Sequence, residues 1–100
     1  MFKKIDGYEY EVSDLGQVRN MKTKKILKPN TQKGLFEYHH VHLYKDGKKK
    51  TIGVHRLVAL AFVPNPENLL FVKHKDRNNN DNRAENLYWN TPKYMIPKKR

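Results

Sequence analysis

The hydrophobic period of this chain changes once, near residue 54, and that change restricts the fold more than any other feature. Upstream, β-branched and aromatic residues alternate with polar ones between Gly, Asp and Asn punctuation, the period-two signature of short strands. From His55 to Phe62 the spacing turns helical, with Leu57, Val58, Ala61 and Phe62 on one face, and Pro64 and Pro66 then stop the helix. A chain of 100 residues with this order has room for one compact domain, or two small units that share a core. The expected class is α+β: a small N-terminal antiparallel β-sheet unit over residues 1–53, packed with a second unit over residues 54–100.

Strands are predicted near Tyr10–Ser13, Gln17–Asn20 and Lys25–Leu27, with Asp14-Leu15-Gly16 as the tight turn between the first two. A longer strand runs from Leu35 to Tyr44. It places Val41 and Leu43 on one face and Phe36, Tyr38, His40, His42 and Tyr44 on the other. Asp46-Gly47 closes a hairpin, and Lys49–Val54 returns. Beyond the helix, short strands are expected around Phe71–Lys73 and Leu87–Trp89, on either side of a polar run rich in asparagine. Thr91-Pro92 reads as an N-cap followed by proline at the first position of a last helix.

With no cysteine, disulfides and thiolate zinc sites are excluded, and packing alone must hold the fold. Twenty-one Lys and Arg against ten Asp and Glu leave a formal charge of +11, which repels itself unless a polyanion offsets it. A nucleic-acid partner follows. Its affinity should fall with salt at a log-log slope of roughly −0.9 per phosphate contacted. The opening residues contain no apolar run of signal-peptide length and no window reaches membrane-span length, so a soluble cytoplasmic protein without a membrane partner is expected.

Several residues together resemble one family. Val54-His55-Arg56-Leu57-Val58-Ala59, Ala61-Phe62 and Pro64-Asn65-Pro66 look like the lead-in to the nuclease motif of phage HNH homing endonucleases. His74, Asp76, Asn78, Asn82, Asn86, Leu87 and Trp89 follow that family's pattern in order and spacing. Upstream, Gly7 to Gly16 with Val18-Arg19 is similar to the small motif that often accompanies these nucleases. The resemblance implies a strand, strand, helix (ββα-metal) finger that holds one divalent cation against a scissile phosphate. It implies His74 as general base on water and Asn86 as the residue that orients it. His74 is expected to sit solvated beside a polar loop. His55 is expected to be a helix-start or packing residue.

Two positions depart from the family pattern. Where the family has Asp or Asn before the base, as a metal ligand, this chain has Lys73; six residues after Trp89, where an Asn supplies the second ligand, it has Met95. An ammonium has no lone pair for Mg²⁺ and a thioether is too soft. Arg77 replaces a family glycine and adds charge to the same loop, and Asp76 is expected to fix that loop. The implied function is therefore a DNA-binding protein of HNH homing-endonuclease type in a phage's or mobile element's bacterial host. Its cleavage is weak or lost, Lys73 contacts the phosphate directly, and no cofactor is needed. The alternatives are an active nicking endonuclease using Mg²⁺ or Mn²⁺ on double-stranded DNA, and a small structural RNA-binding protein.

Expected phosphate and base contacts are Arg19, Asn20, Lys24, Lys25, Lys48, Lys49, Lys50, Lys73 and Arg77, since long cations reach phosphates while Arg, Asn and Gln pair with base edges. His40 and His42 share a strand face but have no evident third ligand. The sequence stops soon after the nuclease-like pattern, so recognition is expected to rest on the first half or on dimerisation.

Overall fold

A computed structural model describes residues 1–32, 36–76 and 81–90, and gives only the backbone for 30–32 and 36–38. Within these residues lie three antiparallel sheets and one α-helix, the mixed α+β class expected. The first sheet joins β1 (Phe2–Lys4), β2 (Tyr10–Ser13) and β3 (Val18–Asn20) in sequence order. The second joins β4 (Asn30–Gln32), β5 (Phe36–Lys45) and β6 (Lys48–Gly53). Helix α1 (Val54–Phe62) follows without a break. The third sheet is a hairpin of β7 (Phe71–His74) and β8 (Leu87–Asn90), with a 3₁₀ turn at Ala84–Asn86 leading into β8.

Two strands escape the sequence pattern, and both have little apolar alternation to show. β1 carries two lysines in three residues, and β4 is wholly polar, held by backbone pairing to β5. The strand expected at Lys25–Leu27 reduces to a single bridge between Arg19 and Ile26. Lys24 sits at φ +63, a left-handed turn from which the chain meets β3 at one point before Pro29. The Asp46-Gly47 turn is as predicted: both residues have positive φ, +52 and +76, the pair that matches strand twist in a two-residue hairpin loop. Leu35, Arg77, Met95 and the helix expected from Thr91 lie outside the described residues.

One hydrophobic core unites both halves. Val12 and Val18 from the first sheet, Val41 and Leu43 from β5, Val54, Leu57, Val58 and Ala59 from α1, and Leu87 and Trp89 from β8 are all buried together. The helix buries a slightly rotated stripe: Ala59 is fully buried, whereas Ala61 and Phe62 are only partly so. β5 buries Val41 and Leu43 as its alternation requires, but His40 on the opposite face is also buried. The Trp89 indole N–H donates to the Val63 carbonyl at 3.0 Å, which satisfies its polar end while the ring fills the core. Among the described residues no helix is long and apolar enough to cross a membrane.

Candidate functional site

The β7–β8 hairpin is registered so that His74 faces Leu87 and Lys73 faces Tyr88. Strand alternation then divides neighbours: Val72 and His74 turn inward, while Phe71 and Lys73 are exposed. The imidazole is therefore buried, at 9% exposure, rather than solvated beside its loop. Lys73 does not lie against it either. The two are consecutive in the chain but point to opposite faces of the hairpin, both near the end of β7.

The residue that holds the ring is Asn82. Its Oδ1 accepts from His74 Nε2 at 2.8 Å, a buried contact. With the amide oxygen as acceptor, this contact favours the proton on Nε2 and leaves Nδ1 as the nitrogen with a free lone pair, the one through which a base would act. Asn86 does something different from the ring-orienting role expected of it. Its Nδ2 donates to Asp76 Oδ1 and to the Asp81 carbonyl, both at 2.9 Å, and its Oδ1 accepts from the Asp76 N–H at 3.4 Å. The side chain thus ties Asp76 to Asp81, and its backbone carbonyl accepts from the Lys75 N–H beside His74 at 2.7 Å. The expected loop-fixing role of Asp76 agrees with these contacts.

His55, expected to serve the helix start or packing, stands against the site. Its ring centroid is 5.2 Å from that of His74. Burial, then the nearby His74 and Arg56, lowers its pKa from the usual 6.5 to about 4, so it presents a neutral ring at physiological pH. The signal was present in the sequence, because His55, Val58, Ala59 and Phe62 fall at i, i+3, i+4 and i+7. Asn82 stands in the family pattern with no role assigned to it, eight positions along the chain from His74.

The carboxylates around the site are already engaged. Asp81 pairs with Arg83 through both oxygens, at 2.9 and 2.8 Å, and the Arg83 hydrogen bond lowers its pKa to about 2. Asp76 accepts from Asn86. Among the described residues no three His, Asp or Glu side chains form a group that could hold a metal ion. HNH nucleases generally depend on a divalent metal. Among the described residues Lys73, exposed on β7, offers an ammonium, which has no lone pair for such a cation. His40 and His42 are likewise no metal pair: their rings meet edge to face, and His42 bonds Thr51 Oγ1 at 2.9 Å.

The basic residues divide sharply. Arg19 Nε donates to Glu11 at 2.7 Å and its guanidinium stacks 3.7 Å over the Phe2 ring. Lys24 lies 3.6 Å from the same carboxylate, and Lys22 pairs with Glu9. Asn20 caps a turn, its Oδ1 accepting from the Lys22 and Thr23 N–H groups. Arg19, Asn20 and Lys24 are thus committed within the fold. Lys25, Lys48, Lys49 and Lys50 are exposed, and among the described residues none of the four pairs with a carboxylate.

Comparison with known proteins finds two matched segments. The profile of the NUMOD4 motif matches residues 2–44, and that of an HNH endonuclease matches residues 53–94. The DNA endonuclease I-HmuI of Bacillus phage SP01 is 46% identical over 97 residues, covering 95% of this chain and 55% of that protein. The H-N-H endonuclease F-TflII of Escherichia phage T5 is 39% identical over 89 residues, covering 86% of this chain and 45% of its own length. A solved structure, described as DNA binding and cleavage by the HNH homing endonuclease I-HmuI, superposes with a TM-score of 0.82 at 43% identity, over 94% of this chain and 54% of the other. The chain spans about half the length of these relatives, or less.

Proposed function

We propose, from the premise that this chain belongs to the HNH homing-endonuclease family, with a NUMOD4 motif ahead of the HNH domain, that it binds double-stranded DNA in the host cytoplasm and cleaves it weakly or not at all. The observation that carries the reading is Lys73. It stands immediately before the general-base position in the chain, exposed on the strand face opposite His74, and supplies an ammonium rather than an oxygen donor, while Asp76 and Asp81 accept hydrogen bonds from Asn86 and Arg83. An ammonium there attracts a phosphate but supplies no Lewis acid for the leaving oxygen. Met95, at the other ligand position, makes the same point in sequence.

Binding itself draws on the β5–β6 hairpin, whose Lys48, Lys49 and Lys50 are exposed beside Tyr44. These are backbone contacts and position the protein without reading sequence. A second reading, a metal-dependent nicking enzyme, is favoured by one observation: Asn82 engages Nε2 of His74, so Nδ1 is the nitrogen left to act as a base.

A supercoiled-plasmid nicking assay with Mg²⁺ or Mn²⁺ separates them. The expected result is retarded duplex DNA with little or no nicked product. Efficient nicking that His74→Ala abolishes would establish the second reading instead. Lys73→Asp combined with Met95→Asn should restore Mn²⁺ binding, measured by calorimetry.

A further inference from the structure

The turn that ends β2 belongs physically to the nuclease-like half of the molecule. Ser13, buried at 2%, closes it from within: its Oγ accepts from the Leu15 and Gln17 N–H groups, at 3.2 and 3.0 Å, while its own N–H donates to the Gln17 carbonyl at 2.8 Å. The turn so fixed makes two contacts with the segment leading to β8. The Asp14 carbonyl accepts from the Ala84 N–H at 2.8 Å. Gly16, at φ +90, packs so closely on Asn82 that a Cβ added there would lie 3.2 Å from both the Asn82 Cβ and its carbonyl oxygen. Asn82 is itself buried, and its amide is what holds the His74 ring.

We propose that the Ser13–Gly16 turn of the NUMOD4 motif is a positioning element of the HNH site, pressing on Asn82 so that its amide fixes the tautomer and plane of the His74 imidazole. The motif then has a second role beside any contact with DNA. The inference rests on His74 as the reactive imidazole, but its test needs neither DNA nor cleavage. Gly16 acts through Asn82, as a positioning residue.

Gly7 provides the control. It has nearly the same left-handed backbone, φ +85, with nothing within 4 Å of an added Cβ. Gly7→Ala therefore imposes the backbone strain without the contact, while Gly16→Ala imposes both. The readout is the His74 ring nitrogens by NMR: the tautomer, and the rate at which the Nε2 proton exchanges with water. Wild type is expected to hold the Nε2–H tautomer. Gly16→Ala should speed exchange by about tenfold, the factor one lost buried hydrogen bond corresponds to, and move the tautomer in the same direction as Asn82→Ala. Gly7→Ala should leave both as in wild type.

Should Gly16→Ala fail to fold, Ala84→Pro decides. It removes the N–H that reaches Asp14 and sets the ring Cδ against that carbonyl, so it breaks this contact at the first position of the 3₁₀ turn, and Arg83 before it already has the extended φ −68, ψ 143 that precedes proline. It should speed exchange in the same sense. The proposal is overturned if the folded Gly16→Ala or, failing that, Ala84→Pro leaves the His74 ring unchanged, or if Gly7→Ala disturbs it as much as Gly16→Ala. Duplex binding, read separately by gel retardation, tests the nucleic-acid function; its absence in wild type would remove that function and leave this result standing.

Discussion

The first sheet and the β5–β6 hairpin are both lysine- and arginine-rich, yet they handle their charge in opposite ways. In the first sheet Glu9 and Glu11 take up Lys22, Lys24 and Arg19, and Phe2 covers the guanidinium. In the hairpin, Lys48, Lys49 and Lys50 stand exposed with no carboxylate beside them among the described residues. A phosphate approaching the first sheet must displace partners already in place, whereas one approaching the hairpin displaces only water and counterions. The difference teaches that a net charge of +11 is no guide to where a polyanion sits. What decides is which cations lack an internal anion.

Replacing Lys48, Lys49 and Lys50 together by Gln tests that contrast most severely. Each lysine that neutralises a phosphate contributes a salt slope of about 0.9, so at 0.1 M salt the triple change should weaken duplex binding by roughly a few hundredfold and reduce the slope by nearly three. Fluorescence anisotropy across a salt series reads both quantities. An unchanged slope would break the comparison at its stronger end, because the hairpin would then be bystander surface.

Much of this arrangement was legible in the sequence where apolar residues repeat. The period change at Val54, the Asp46-Gly47 turn, and the inward Val41 and Leu43 all follow from spacing alone. What escaped depends on polar partners distant in the chain. β4 has no hydrophobic face, so only its backbone pairing with β5 marks it. Arg19 and Asn20 read as base-contacting residues until Glu11, Phe2 and the turn after β3 claim them. In the site, the position of His74 was legible, but its holder was not. Two loop asparagines are chemically equal candidates, and the hairpin register and the close approach of Gly16 assign Asn82 to the ring and Asn86 to the loop.

Acid sharpens the comparison, because the two halves should weaken in different pH windows. His55 is neutral when folded, with its pKa lowered to about 4, chiefly by burial. Its contribution is complete above the unfolded value near 6.5 and is lost as pH falls toward 4, since protonation then favours the unfolded chain. The loss should be on the order of 2 kcal/mol, allowing for partial solvent contact. Urea midpoints measured from pH 7 to 4 should show it, and His55→Gln should flatten the decline. A decline of equal depth in His55→Gln would place the acid sensitivity elsewhere.

The first sheet contributes its smaller effect lower on the scale, and the same carboxylate tests its silence toward DNA. The Arg19 hydrogen bond, opposed by partial burial and helped by Lys24, holds the Glu11 carboxyl below its usual 4.5. Stability from this group is present above the unfolded pKa and fades as pH drops through the lowered folded one. Glu11→Gln should erase that last part of the acid limb while lowering stability at neutral pH. The substitution also releases Arg19 and Lys24 from their shared anion. If the first sheet lies away from the duplex, affinity should change by less than about threefold, because unpaired cations off the binding face act only through the screened overall field. A steep rise in affinity, with a salt slope steeper by one or two units, would mean that Glu11 masks a second phosphate-binding face, and the two sheets would then differ in regulation rather than in role.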